Sequence, residues 1–100
     1  MKKKIFNKYA KEIAESFSIT EDELFGNSIK RKYTVPRHML FLLCHRRKMT
    51  STDIAECMRE NGSTALHAGI IKGINSINSI IGMDEDFDDV FKKIQEKCKD

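Results

Sequence analysis

The stretch IAECMRENGSTALHA, residues 54–68, contains the pattern that decides the fold. Up to residue 59 its apolar side chains recur at helical spacing, and the Asn61-Gly62 dipeptide then signals a turn. Apolar residues resume the helical spacing beyond the turn, so we expect a longer second helix to start at Ser63 or a neighbour. A core helix followed by two helices with a tight turn between them is typical of a helix-turn-helix.

Helical spacing also continues on both sides of this stretch. Thr20 and Glu23 have the spacing of a capping box. Pro36 suits the first turn of a helix, which leaves SIKRKYTV (28–35) as a basic loop before it. The predicted helices cover residues 3–17, a short segment after Thr20, 36–48, 52–59, a longer segment from about Ser63 to Gly82, and 84–98.

No segment shows the period-2 alternation of a strand, so we predict an all-α fold. Residues 1–100 are expected to form one domain of five to six helices that includes the helix-turn-helix. One of three consecutive hydroxyl residues should cap the first helix of the pair; these are Thr50, Ser51 and Thr52. The buried stripe of the longer helix is predicted to consist of Leu66, Ile70, Ile74, Ile77 and Ile81.

The formal net charge of +3 conceals an asymmetry between the two halves of the chain. Residues 1–48 contain twelve Lys or Arg and five Asp or Glu, whereas residues 49–100 contain six and ten. Seven basic residues and no acidic one lie between Lys30 and Lys48. A solvated face normally mixes both signs, so this stretch favours a polyanionic partner over a patch that only keeps the protein soluble.

The sequence argues against an enzyme, a metal site and a membrane span. The three histidines are too scattered to suggest a catalytic site, and the three cysteines lack the spacing of a zinc site. An odd number of unpaired cysteines is typical of reduced thiols in a cytoplasmic protein. No apolar run approaches the length of a membrane helix, about 18 residues. We therefore expect no catalytic residue, no metal and no cofactor.

Short polar side chains follow the turn. Asn61, Ser63, Thr64 and His67 are expected on the outer side of the second helix. There Ser and Thr can contact base edges, Asn can pair with adenine, and the backbone amides of the helix N-terminus can hold a phosphate. The alternative is that Ser63 and Thr64 only cap a surface helix.

Several segments together resemble the C-terminal DNA-binding domain of the bacterial replication initiator DnaA, over about residues 5–95. They occur in the family's order: a helix, a basic segment, Pro-Arg before a core helix, the signature around the turn, and a last helix. The ATPase motif G-x-x-x-x-G-K-[ST] is absent from these 100 residues, so the resemblance implies a free-standing DNA-binding domain. The matching segments are IAESFSITEDELF (13–25), KRKYTVPRHMLFLLC (30–44), IAECMRENGSTALHA (54–68) and DFDDVFKKI (86–94).

The resemblance implies that two parts of the chain contact double-stranded DNA. The basic loop and the arginine after Pro36 hold the backbone and enter the minor groove, whereas the signature around the turn reads bases in the major groove. Thr52 stands where a family proline touches a base, and His67 matches a histidine that is less involved in base reading. The predicted DNA-binding residues are Lys30, Arg31, Lys32, Arg37, His38, Thr52, Asn61, Gly62, Ser63, Thr64 and His67.

Three positions depart from the family signature. Its reading histidine is Gly62 here, its aspartate is Asn61, and the arginine just upstream is Glu60. Losing one bidentate base contact costs about 1–3 kcal/mol of discrimination, so we expect a different target sequence or weaker specificity.

The resulting hypothesis is a double-stranded-DNA-binding protein that acts in control of replication or transcription. The alternative is a protein-interaction module that kept the fold, lost base reading and acts on a replication or transcription protein. The target sequence, the source and the oligomeric state stay open.

Overall fold

The computed structural model describes residues 2–98. Within that range the backbone forms six α-helices and no strand, so the prediction of an all-α fold with five to six helices is confirmed. None of these helices is long and apolar enough to cross a membrane. Met1 and residues 99–100 of the predicted domain lie outside the described range. The helices are α1 (Lys2–Ser16), α2 (Glu21–Phe25), α3 (Arg31–Arg46), α4 (Ser51–Glu60), α5 (His67–Asn78) and α6 (Glu85–Lys97).

The hydrophobic core is centred on α3. Residues 39–44 of this helix are all buried, because a helix that is apolar on most sides must be covered on most sides. Helices α1, α2, α4 and α5 pack against it, and α6 packs against α1. Each neighbour contributes one apolar face; α1, for example, buries Phe6, Tyr9 and Ile13 at helical spacing.

Side-chain caps define the start of three helices. The predicted capping box of α2 is present, since the Thr20 hydroxyl accepts from the Glu23 amide at 3.1 Å and Glu23 Oε1 accepts from the Thr20 amide at 2.9 Å. Thr50 is the cap of α4 and forms a second capping box with Asp53. Asp84 caps α6 by accepting from the Phe87 amide at 3.2 Å.

The prediction of a basic loop over residues 28–35, with Pro36 in the first turn of a helix, is wrong. Helix α3 already begins at Arg31, and Pro36 lies inside it. The carbonyl of Lys30 accepts from the amides of Tyr33 at 2.9 Å and Thr34 at 3.0 Å, so the first turn closes before the proline is reached. Pro36 then removes the amide that would bond the carbonyl four residues earlier, and its ring crowds that carbonyl.

The prediction that the second helix of the pair begins near Ser63 is also wrong. Helix α5 begins at His67, and residues 61–66 form an extended turn. The Ser63 amide donates to the Met58 carbonyl at 3.0 Å, and the Ser63 hydroxyl accepts from the Ala65 amide at 3.1 Å. These local bonds offer the backbone an alternative to a helical turn.

The predicted buried stripe of α5 is confirmed at its centre and fails at its start. Ile70, Ile74 and Ile77 are buried, and Ile81 is partly buried beyond the end of the helix. Leu66, in contrast, is 67% exposed, because it precedes the first turn of the helix and does not share its buried face.

Helices α3 and α5 pack closely at Gly73. A Cβ atom at this position would lie 2.7 Å from Cδ2 of His38 and 3.0 Å from Cδ2 of Phe41, both on α3. Glycine therefore sets the separation of the two helices. The other glycine inside α5, Gly69, has no atom within 4 Å of the corresponding position.

We expect Gly73→Ala to lower the free energy of unfolding by about 1–2 kcal/mol, because overpacking against α3 exceeds the gain in helix propensity. Gly69→Ala is the matched control on the same helix and should raise it by about 0.5–1 kcal/mol. Urea denaturation of both variants measures the difference. Equal stabilisation by the two substitutions would contradict the close approach at Gly73.

Candidate nucleic-acid interface

The turn between α4 and α5, residues 61–66, gathers four of the predicted DNA-binding residues. Asn61 follows the last residue of α4, and its side-chain amide donates to the Cys57 carbonyl at 2.9 Å. Gly62 has φ of +88°, a conformation that glycine adopts without strain, and it is exposed. The predicted residues are thus brought together, but on a turn and not on a helix.

Ser63 does not lie on the outer side, as predicted. It is only 8% exposed, and its hydroxyl bonds to the backbone of the turn. Its burial follows from the amide bond to α4, which draws the start of the turn back against that helix. The geometry gives Ser63 a structural task in shaping the turn.

Thr64 is exposed and connects the turn to a distant part of the chain. Its hydroxyl donates to Oδ1 of Asn27 at 2.8 Å, across 37 residues of sequence. Asn27 lies between α2 and α3 and was not among the predicted site residues. A single polar residue in a loop gives no sequence signal for such a contact, which depends on the tertiary arrangement.

A groove runs between the α2–α3 loop and the start of α5. Thr64 and Asn27 lie at this groove, and Gly69 leaves one side of it open because it carries no side chain. Leu66 contributes an exposed apolar side chain to the same groove. The remaining lining residues include Gly26, Arg37, His38, Phe41, Ser63 and Ala65.

The guanidinium of Arg37 forms its hydrogen bonds within the protein. Its Nε donates to the Leu24 carbonyl at 2.8 Å, Nη1 to the Ser28 carbonyl at 3.1 Å, and Nη2 to the Glu23 carbonyl at 3.2 Å. Two of these carbonyls belong to the C-terminal end of α2, where the Glu23 carbonyl also accepts from the Gly26 amide at 3.3 Å. Partial burial lowers the pKa of Arg37 without threatening its charge. The guanidinium therefore joins α2 to α3, and its predicted contact with DNA stays a prediction.

His38 packs between α3 and α5. Its ring lies beside Gly73 and 6.0 Å from the ring of Phe41, measured between centroids. Burial and, to a lesser extent, the charge of Arg37 lower the pKa of His38, so the ring is neutral at pH 7. A neutral, half-buried imidazole does not add positive charge to the surface.

Lys30, Arg31 and Lys32 occupy the N-terminal end of α3 and are all exposed. Lys30 is the first flanking residue of the helix, and Lys32 Nζ lies 5.0 Å from the centroid of the Tyr33 ring. The first turn carries no acidic residue. Three cations thus add to the partial positive charge of the helix N-terminus.

The seven basic residues between Lys30 and Lys48 do not form one patch. Helix α3 separates Arg31 from Arg46 by fifteen residues, about 22 Å at 1.5 Å per residue. At the far end, Arg46 lies 5.0 Å from the centroid of the Phe91 ring, measured from Cζ. The cluster at the start of α3 and Arg37, which bonds to the Ser28 carbonyl, lie beside the α2–α3 loop, whereas Arg46 lies at the other end of the helix.

The first turns of α4 and α5 are also joined. Oγ of Ser51 and Nδ1 of His67 lie 2.7 Å apart in a hydrogen bond between exposed side chains. Thr52 follows Ser51 and is exposed. Two of the predicted DNA-binding residues, Thr52 and His67, therefore lie in the first turns of α4 and α5, which this bond joins.

Nothing in residues 2–98 is arranged as a metal centre. No three His, Cys, Asp or Glu side chains of that range are grouped so that they could hold a metal ion. Cys44, Cys57 and Cys98 are buried, and burial is the main cause that raises the pKa of Cys44. A buried thiol of raised pKa is a poor nucleophile.

Comparison with known families connects this geometry to DNA. The sequence model of the family described as bacterial dnaA protein helix-turn-helix matches residues 7–70, which is more than half of the 100-residue chain. The match starts in α1 and ends in the first turn of α5, so it includes the α2–α3 loop, α3, α4 and the turn. Helix α6 lies outside it. No curated protein and no solved structure matches the chain.

We expect Arg37→Ala to lower the free energy of unfolding by about 1–3 kcal/mol, because it removes three partly buried hydrogen bonds to backbone carbonyls. Arg31→Ala, on the exposed end of the same helix, is the control and should change stability by less than about 0.5 kcal/mol. Thermal and urea unfolding provide the measurement. A wild-type stability for Arg37→Ala would show that its internal bonds contribute nothing.

Proposed function

The chain belongs to the bacterial DnaA helix-turn-helix family, a family of DNA-binding domains, and on that premise we propose that it binds double-stranded DNA through the turn 61–66 and the N-terminal end of α3. The turn and the start of α5 enter the major groove, and the cations of α3 lie on the phosphate backbone. The proposed process is control of replication or transcription in the cytoplasm.

The hydrogen bond from Thr64 to Asn27 carries this proposal. It joins the turn to the α2–α3 loop, so that two elements distant in sequence present one surface. Lys30 follows Asn27 by three residues, which keeps their Cα atoms within about 11 Å. The bond therefore supports a single face on which a potential base contact and a group of phosphate contacts lie side by side.

The cations at the start of α3 provide the affinity in this proposal. Phosphate neutralisation by Lys and Arg releases condensed counterions and supplies most sequence-independent binding. Backbone amides at a helix N-terminus favour the same negative charge. Lys30 and Arg31 are exposed and take part in no ion pair among residues 2–98, so both are available for phosphates.

In this proposal fewer side chains read bases than in the family signature. Gly62 has no side chain, and the Asn61 amide group is already bonded to α4. Glu60 is directed towards α1, where its carboxylate pairs with Lys3 Nζ at 3.1 Å. Thr64 is exposed and its hydroxyl is not bonded within the turn or to α4, so we infer a preference that is weaker or different from that of the family.

The second candidate is a protein-interaction module. Two exposed large apolar side chains favour it. Leu66, just before α5, is 67% exposed, and Ile71, within α5, is 43% exposed. A protein partner would cover them, whereas a backbone-clamping domain does not require them. The experiments below separate the two candidates.

Removing two charges at the start of α3 should reduce the salt dependence of DNA binding. For the double variant Lys30→Gln/Arg31→Gln, the slope of log Kobs against log salt should fall by about 0.9 for each lost phosphate contact. Lys92→Gln/Lys93→Gln removes the same charge from exposed positions of α6, next to the opposite end of α3, and should leave the slope unchanged. Equal changes in both variants would mean that only net charge matters.

Selection from a random duplex library at near-physiological salt tests base reading. The wild-type protein should enrich a motif, and Thr64→Ala should flatten the preference at one or two positions, since a base contact contributes about 1–3 kcal/mol. Ser76→Ala removes an exposed hydroxyl further along α5 and should leave the motif intact. Binding without enrichment would restrict the function to backbone clamping, and absence of binding would favour the protein-interaction module.

A further inference from the structure

Ser51 and His67 are the first residues of α4 and α5, the two helices of the helix-turn-helix. Their side chains are 2.7 Å apart between Oγ and Nδ1, although sixteen residues separate them in the sequence. Both side chains are accessible to solvent, so hydrophobic packing does not explain why they meet. The bond links the two helix starts.

The Ser51 side of this bond is held in place by its neighbours. Thr50 and Asp53 form the capping box around it, with both reciprocal bonds at 3.1 Å. Asp53 is bonded in addition to Lys2 Nζ at 2.9 Å. Because the backbone on both sides of Ser51 is fixed, one side-chain torsion determines where its hydroxyl lies.

The His67 side depends on Ser51. The residue before it, Leu66, caps α5 without any side-chain hydrogen bond, so the cap itself does not orient the imidazole. An exposed imidazole otherwise samples several rotamers and both tautomers. With Nδ1 occupied by Ser51, Nε2 is the ring atom left to bond outside the protein.

We propose that Ser51 is a positioning residue for DNA binding, which holds His67 so that its Nε2–H donates to an acceptor atom of the duplex. Phosphate oxygens and the purine N7 and O6 atoms accept hydrogen bonds, so Nε2 must carry the proton. Nδ1 then accepts from the Ser51 hydroxyl. This inference rests on the proposed function and gives a role in binding to a residue whose sequence context indicates only a candidate helix cap.

Affinity for a mixed-sequence duplex, measured at fixed salt, tests the role of Ser51. Ordering one side chain in advance contributes about 0.5–1.5 kcal/mol, so Ser51→Ala should weaken binding by about 2- to 10-fold. Ser51→Thr retains the hydroxyl and should restore affinity to near the wild-type value. In a His67→Ala background, Ser51→Ala should have no further effect, because Ser51 acts through the imidazole.

The tautomer of His67 provides a readout that a purely structural role would not change. In the free wild-type protein, imidazole ¹⁵N shifts should show a protonated Nε2 and an unprotonated Nδ1, and Ser51→Ala should shift His67 towards a mixture of tautomers. Unfolding free energies of all variants establish that they are folded.

The outcomes separate this inference from the proposed function. Two results would overturn the positioning role alone. In the first, the wild-type protein binds DNA and Ser51→Ala binds with the same affinity. In the second, Ser51→Ala still weakens binding in the His67→Ala background. Failure of the wild-type protein to bind any duplex would overturn the proposed function and the positioning role together.

Discussion

The close approach of α3 and α5 at Gly73 is the constraint on which the rest of the structure depends. Helix α3 carries the exposed cations at its start, and α5 is preceded by the turn that contains Thr64. The two helices pack closely at Gly73, where a side chain would meet His38 and Phe41, and the Thr64–Asn27 bond joins the turn to the loop before α3. The formation of a surface that contains both features therefore depends on packing in the core.

Elements that depend on local chemistry were predictable from the sequence. The spacing of apolar residues identified the helices, and Thr20 with Glu23 located the start of α2. Two starts were misplaced, because each depends on a competition that the sequence alone does not resolve. Pro36 is tolerated inside α3 once the turn before it has closed, and the bonds of Ser63 replace a first turn of α5.

The candidate site was less predictable than the fold, because its chemistry is determined by tertiary contacts. The family resemblance placed Arg37 among the contacts with the DNA backbone, but its three donors meet carbonyls from two other segments. The count of charges treated residues 30–48 as one basic stretch, and a helix of sixteen residues separates its two ends. Asn27 gave no sequence signal, since its partner Thr64 is 37 residues away.

In the proposed mode of DNA binding, hydrogen bonds within the turn leave base reading to other side chains. Asn61 is bonded to α4, and Ser63 is bonded to the turn itself, so two positions of the family signature serve the backbone. A rigid turn loses little entropy when it binds, which favours affinity even where few side chains are left to read bases. The groups that still face outwards, Thr64 and His67, are both held by partners outside the turn, namely Asn27 and Ser51. Specificity in such a domain depends as much on the residues that orient the reading side chains as on those side chains themselves.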